Sequence, residues 1–453
     1  MKFQYTDLCS KDVKIPNITM VMSSVSNTNS NSNTNTSNAN SARNTTITID
    51  KTKPFISIRK AAMKIKTSYK NKDICVCIHK LPIKYKFVFL NYLSKSMYTF
   101  EKYRANASKP HTVFVHDKVE HKETLTSFIH ALNCADFTRD LENEPANMMS
   151  PDMFAKTTEK LFKDISKYTN GHKVKITVMD EKDMKKVGLN LVLAIGMSSK
   201  RMPRFMTIEC IRDKSYPTIC LVGKTVVFDA GGLNIKIGKN MSPEMKEDKS
   251  GGSVVVGVIQ YFAQNFVKCN IVGILPIVEN LLSEDVTRPG DIVKSYDGKT
   301  VEITDIDAEG RLILSDGIAY SKKYKPTYLF DLATLTGWSQ SVHMDTAAVC
   351  YCRNMELAAK INDVGEKVGE RVWFMPPWQE YTEYTKSEVA DIRNFSLDMR
   401  EGAYLPSMFL LTFVPEELRD HYVHFDICNN YERSISRGNC VSLMIELIKT
   451  LCK

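Results

Sequence analysis

Ile303-Thr304-Asp305-Ile306-Asp307-Ala308-Glu309-Gly310-Arg311-Leu312-Ile313-Leu314-Ser315 lies past the middle of a 453-residue chain and crowds three carboxylates and an arginine into seven positions. The alternating run Lys299-Thr300-Val301-Glu302-Ile303-Thr304 follows an Asp297-Gly298 turn signal and predicts a strand. Leu312 onward predicts a helix that buries Leu, Ile and Ala. The acids therefore stand where a strand passes into a helix. Residues two apart in extended chain point the same way, so Asp307 and Glu309 can address one object while Gly310 lets the backbone turn.

Working outward, the pattern after residue 173 alternates strand and helix. Strands are predicted at 174–179, 218–224, 270–276, 327–332 and 422–427, and helices at 251–265, from 312, and at 378–387, 403–414 and 441–451. Such alternation predicts an α/β protein whose larger C-terminal domain, 167–453, is an α/β/α layer around a mixed, largely parallel sheet. Ligands then bind at the carboxyl ends of the strands, where the acidic stretch falls. Upstream, strands at 74–78 and 112–115 with a helix at 125–133 predict a small N-terminal α/β domain, 51–138. Residues 139–166 read as linker and connecting helix, because Pro, Asn and charge concentrate from Arg139 to Pro151. Residues 1–50 read as a separate segment. Within it Ser, Asn and Thr make up 20 of the 24 residues from Ser23 to Thr46, a composition that buries nothing and predicts disorder.

The length favours two domains, and 43% hydrophobic content is ample for two cores. No apolar run approaches the ~20 residues that span a bilayer, and residues 1–14 lack the apolar core of a signal peptide. The expectation is a soluble cytoplasmic protein without a membrane partner. Twelve cysteines lie scattered in apolar stretches with no Cys-x-x-Cys spacing, which predicts reduced, buried thiols. The net charge of +9 is uneven: residues 1–138 hold 21 basic and 9 acidic residues, and the remainder is slightly acidic. The densest basic stretch, 51–86, interleaves lysine with Ile, Tyr and Phe. It suits a nucleic-acid surface or the wet face of a half-buried sheet, and no nucleic-acid motif accompanies it.

Three chemistries compete for the opening stretch. Asp305, Asp307, Glu309, Gly310 and Asp316 fall on positions 1, 3, 5, 6 and 12 of a calcium loop, but a strand enters where a helix should, and no second copy exists. A plain turn in which Arg311 pairs the acids is the bland alternative. A shared metal site needs ligands from elsewhere. Lys224, Asp229, Lys236 and Asp248 supply candidates, on glycine-rich turns after a strand and before a helix. A phosphate loop at Gly223-Lys224-Thr225 fails, because the glycine required five residues before Gly223 is Thr218. Four carboxylates brought together raise one another's pKa, and divalent cations of the Zn, Mn or Mg class are the simplest remedy.

These motifs are recognisable in order. Gly223-Lys224, Phe228-Asp229-x-Gly231-Gly232, Ile235-Lys236, Asn240-Met241, Met245-Lys246-x-Asp248, Asp307-Ala308-Glu309-Gly310-Arg311-Leu312 and Ala333-Thr334-Leu335-Thr336-Gly337 resemble the leucyl (cytosol) aminopeptidase family of two-metal exopeptidases. The likeness extends to the linker at Arg139 to Pro151, to the stretch from Trp378 to Asn394 and, more loosely, to Ser96 to Tyr103. It implies that Asp229 and Glu309 bridge two metals, that Asp307 completes one shell, and that Lys224 and Asp248 complete the other. Lys236 would meet the substrate carbonyl and Arg311 would hold a bicarbonate that shuttles protons. The reaction implied is hydrolysis of the N-terminal residue, Leu or another apolar one, from peptides with a free N-terminus, by a hydroxide bridging the metals. Met245, Thr334, Leu335 and Gly337 would bind the substrate side chain, with Gly402-Ala403 closing the pocket, and the family implies a homohexamer. Departures cluster there: Trp338 replaces a small residue, Asp305-Ile306 replaces Asn-Thr, Asp248 stands one residue further from Lys236, and His424 to Asn429 lacks the expected small residues. They leave a second reading, a weakly catalytic relative acting as a nucleic-acid-binding or scaffold protein through its basic N-terminal domain.

Overall fold

A computed structural model describes residues 1–7, 15–23, 44–166, 174–344, 346–396, 404–427 and 436–452. Most of the Ser/Asn/Thr-rich stretch, the pocket-closing Gly402-Ala403 and the pair Cys428-Asn429 lie outside these residues. The chain divides into two compact units, residues 1–136 with 363–370, and residues 137–362 with 371–453.

The first unit is built on five strands, β1 (Lys2–Thr6), β2 (Asn17–Ser23), β3 (Asn44–Asp50), β4 (Ile74–Cys77) and β5 (Thr112–His116), in the order β1-β5-β4-β2-β3, all parallel. Helices α1 (Pro54–Tyr69) and α2 (Ile83–Met97) pack on one another. Residues 1–50, expected to stand apart, supply three of the five strands. The polar run conceals β3, Asn-Thr-Thr-Ile-Thr-Ile-Asp, in which Ile47 and Ile49 face inward in strict alternation. The expected start of the linker is also displaced. Residues 139–143 are the last turn of a 22-residue helix, α3 (Lys122–Asn143), and the irregular connection is confined to 144–150.

In the second unit, α4 (Pro151–Ile165) is capped by Ser150, whose hydroxyl accepts the Met153 N–H at 3.2 Å. There follow β6 (Lys175–Met179), α5 (Glu181–Val187), α6 (Asn190–Gly196), β7 (Arg204–Cys210), β8 (Thr218–Gly223), β9 (Thr225–Asp229), α7 (Ser250–Gln264) and β10 (Asn270–Asn280). The rest comprises β11 (Asp291–Lys294), β12 (Thr300–Ile303), α8 (Glu309–Ser321), β13 (Tyr328–Ala333), α9 (Gly337–His343), β14 (Ala347–Cys352), the first part of α10 (Met355–Val368), whose residues from 363 on belong to the first unit, β15 (Arg371–Met375), β16 (Ile392–Arg393), α11 (Tyr404–Leu411), β17 (Tyr422–Asp426) and α12 (Val441–Leu451). The segment expected as a helix at 378–387 is a 3-10 stretch, Gln379–Thr385.

The main sheet runs β15-β14-β17-β13-β8-β10-β7-β6, with β9 continuing the line of β8 alongside β10. Its centre, β17-β13-β8-β10, is parallel, and antiparallel pairs flank it. Successive residues of a strand face opposite sides, and β10 shows what covers each. Gly273 faces Val255 and Ile259 of α7, and Ile274 faces Gly317 of α8. Helices therefore cover both faces, and all eleven residues of β10 are buried. The ten cysteines among the described residues are buried thiols.

Candidate metal centre

The acids converge where β8, β9 and β13 end. Lys224 interrupts the passage from β8 to β9. Its N–H donates to Leu332 O (3.0 Å) and its carbonyl accepts from Gly252 N–H (2.8 Å), so the backbone is gripped from both sides and the side chain is forced inward. Asp229 ends β9, Asp248 sits on the 3-10 stretch Pro243–Lys249, and Glu309 is the first residue of α8. The strand parity invoked for Asp307 and Glu309 does not apply, because the helix begins at Glu309, three residues before Leu312. Two glycines make room. Gly231 adopts φ +86°, and a side chain there would also strike Asp307 Oδ1 at 2.9 Å; a β-carbon on Gly310 would lie 2.6 Å from Lys224 Cε.

One oxygen each from Asp229, Asp248 and Glu309 lies within 4.8 Å of the others, and all three residues are buried. Lys224 Nζ lies 2.7 Å from Asp248 Oδ1 and 2.8 Å from Glu309 Oε1, and donates to Thr334 O at 2.8 Å. Lys236 Nζ lies 2.8 Å from Asp229 Oδ2 and pairs with Asp307. Lys236, rather than the nearer-in-sequence Lys224, is thus the lysine that takes Asp229. Thr334 Oγ1 donates to Asp248 Oδ1 at 2.7 Å.

Burial raises the carboxyl groups of Asp229, Asp248 and Glu309 above the usual range, with Glu309 adding to the effect at Asp229. Asp307 is raised to about 7 by burial and then by Asp229 and Glu309. Burial alone would lower both ammonium groups. The surrounding acids outweigh it, Asp248 first at Lys224 and Asp229 first at Lys236, and hold both above the ordinary lysine value. Four carboxylates thus face two ammonium groups. Among the described residues Asp248 Oδ2 is buried without a hydrogen-bond partner, and Glu309 Oε1 meets Lys224 as an ion pair lacking hydrogen-bond alignment. An all-oxygen acceptor set with an orphaned buried oxygen and excess negative charge fits divalent cations.

Arg311 is buried but leaves α8 on another side from Glu309, since two residues of helix are about 200° of rotation. Its Nη1 donates to Asn394 O at 2.8 Å and its guanidinium lies 5.9 Å from the Phe395 ring centroid. It does not pair the neighbouring acids as the plain-turn reading supposed. Of the side-chain-binding set, Thr334 touches the centre, and Met245 is half-buried three residues before Asp248. Leu335 packs on the core with its N–H donated to Asp426 Oδ1 (3.1 Å), and Gly337 is exposed at the start of α9. Trp338 beside it is 52% exposed.

Three asparagines that sequence reasoning did not single out as site residues fasten the centre. Asn280 Nδ2 donates to Asp229 Oδ1 (2.9 Å) and to Ile306 O (3.1 Å), Asn234 Oδ1 accepts the Ile306 N–H (3.1 Å), and Asn394 bonds the backbone of Thr304 and Asp305. The signal for Asn280 was a buried amide closing a long apolar strand at its carboxyl end. Asp305 is also explained: its carboxylate accepts the Asp307 N–H at 2.8 Å, which an Asn carbonyl would do equally.

The family model for the catalytic domain of the cytosol aminopeptidase family matches residues 136–444. A probable cytosol aminopeptidase of Rickettsia canadensis is 33% identical over 369 residues, 79% of this chain and 72% of that one. One of Brucella melitensis biotype 1 is 36% identical over 322 residues, 69% of this chain and 64% of that one. Among solved structures, the bottromycin maturation enzyme BotP in complex with Mn is similar at a TM-score of 0.81 and 21% identity, covering 96% of this chain and 99% of that one, a likeness of fold.

Proposed function

Because the chain belongs to the cytosol aminopeptidase family of metal-dependent peptidases, we propose that it removes the N-terminal residue, Leu or another apolar one, from peptides with a free α-amine. The observation that carries the reading is the convergence of Asp229, Asp248 and Glu309 within 4.8 Å beside two buried lysines. Asp229 and Glu309 would bridge two cations, Asp307 would complete one shell, and Lys224 with Asp248 the other. Zn and Mn suit the set, and Mn is the ion named with the BotP fold relative. When bound, the ions supply Lewis acidity and ionise water near neutral pH.

The chain's own groups do the rest. Asp229 and Asp307 hold the Lys236 ammonium at the edge of the centre, where it donates to the oxyanion forming on the scissile carbonyl. Lys224 would serve as a ligand only after losing its proton, so cation binding there would displace a proton from the ammonium that Asp248 and Glu309 hold. Arg311, which donates to the Asn394 carbonyl and lies beside the Phe395 ring, would hold the bicarbonate that the family implies, an anion suited to carrying a proton. A cytosolic location accords with the family name, and a homohexamer is the assembly we propose with it; no helix of the described residues is long and apolar enough to cross a membrane.

The test is release of the anilide product from leucine-anilide and N-acetyl-leucine-anilide, with and without added Mn or Zn, beside Glu309→Ala. Metal-dependent cleavage of the unblocked compound alone, abolished in the variant, is expected. Absence of metal-dependent cleavage, or equal cleavage of the blocked compound, would sink the reading. Salt-sensitive DNA binding by an inactive protein would favour the scaffold role.

A further inference from the structure

The N-terminal unit carries a second convergence of donor side chains, of different chemistry. Cys77 ends β4 and His116 ends β5, and the parallel register sets them opposite one another. His79 follows two residues after Cys77, past Ile78, whose N–H donates to His116 O at 2.9 Å and ties the two strand ends together. One donor atom from each of Cys77, His79 and His116 lies within 4.8 Å of the other two. The imidazoles meet edge to face with centroids 6.1 Å apart. Cys77 is fully buried and the histidines half-buried, so the cluster is reached from the imidazole side.

The second observation is that Nδ1 of His79 and Nδ1 of His116 are both buried with no hydrogen-bond partner among the described residues. Buried polar atoms are nearly always satisfied, and two orphaned ring nitrogens beside one thiol point to a missing bonding partner. Lys86 pairs with buried Asp117 through Oδ2 and lies 3.1 Å from His121 Nδ1, while Asp117 Oδ1 is itself buried without a hydrogen-bond partner among the described residues. The Cys77 thiol donates to Asn17 Oδ1 at 3.1 Å, and that amide, turned over, would instead donate to a thiolate.

We propose that Cys77, His79 and His116 bind one divalent transition-metal ion of the zinc class, with a fourth position open to water. One sulfur and two imidazole nitrogens suit Zn²⁺ or Co²⁺, whereas Mg²⁺ and Ca²⁺ require oxygen. Zn–N and Zn–S bonds of about 2.0–2.3 Å place tetrahedral ligand atoms about 3.4–3.6 Å apart, so side-chain rotation of roughly an ångström closes the cluster. The ion would pin the carboxyl ends of β4 and β5, the edge at which parallel α/β sheets take ligands.

The test uses the full chain stripped with chelator, with Co²⁺ as the probe. Thiolate-to-cobalt charge-transfer absorption reports a sulfur ligand, which the oxygen-rich centre of the larger unit cannot supply. The expected result is a band whose final amplitude corresponds to one thiolate-bound cobalt per chain, lost in Cys77→Ser, weakened more than about tenfold in affinity in His79→Gln, and retained in Glu309→Ala. Zn²⁺ should displace the band and raise the thermal midpoint of the wild type more than that of Cys77→Ser. No band in the wild type, or an undiminished band in Cys77→Ser, overturns the site. Should that variant not fold, undiminished affinity in the half-exposed His79→Gln overturns it as well.

Discussion

Lys224 and Lys236 are two halves of one centre built to the same plan, an ammonium shared between two carboxylates, yet their settings differ. Lys224 is walled in: its backbone is bonded on both sides, its stem lies against Gly310, and its side chain is 4% exposed. Lys236 rides a loop whose neighbours Leu233, Ile235 and Ile237 face solvent, and its own side chain is 14% exposed. The same residue type is therefore suited to two different jobs, the ligand and the substrate-facing role proposed for them. A fully enclosed amine can exchange its proton only for an ion delivered to the same spot, whereas one at the rim can reach a substrate oxygen.

The largest effect expected from breaking this pairing is at the enclosed end. Lys224→Met strands Asp248 and Glu309 in the interior, and should cost the metal-free protein about 3–5 kcal/mol, read by urea denaturation. A loss near zero would mean the acids are already protonated. At the rim, Lys236→Gln should lower kcat by about 10²–10³ while metal content by elemental analysis holds, since the group acts on the oxyanion. Gly310→Ala, by pushing on Lys224 Cε, should weaken metal binding by about 10–100-fold in calorimetric titration, with a smaller effect on the Lys236 half.

The pH dependence separates the halves in another way. Asp307 is raised to about 7 in the folded protein, above its ordinary value, so its contribution to stability is present in acid and is lost as pH climbs through 7. Thermal midpoints of the metal-free protein should fall across that window. Mn affinity should rise over it, because both Asp307 and Lys224 must shed protons to ligate. Falling affinity with rising pH would contradict the ligand assignment. The smallest effect is expected for Asp305→Asn, within about threefold in kcat/KM, because the amide carbonyl keeps the bond from Asp307 N–H.

Much of this was legible beforehand, for identifiable reasons. The strands at 218–224, 270–276 and 327–332 announced themselves through long apolar runs, because central parallel strands are buried on both sides, and the helices from 251 and 312 through their apolar faces. β3 was hidden because only two of its seven residues are apolar, and β1 because it is five residues long and gains its place by pairing with β5, 110 residues away. Arg311 illustrates a different limit. Its spacing from the acids suggested a local pair, but helical rotation hands it to Asn394.

By itself the sequence determined the residue types and their order: two lysines, four acids and the glycines that admit them, arranged as in the cytosol aminopeptidases, on an alternating strand and helix pattern. Only the tertiary structure decided who pairs with whom. Lys224 chose Asp248 and Glu309, Lys236 chose Asp229 and Asp307, and Cys77 met His116, because these contacts are set by strand register and helix phase across tens of residues. Local periodicity is written in the side chains of neighbours. Register is written in the sum of a packed core, which no short stretch contains.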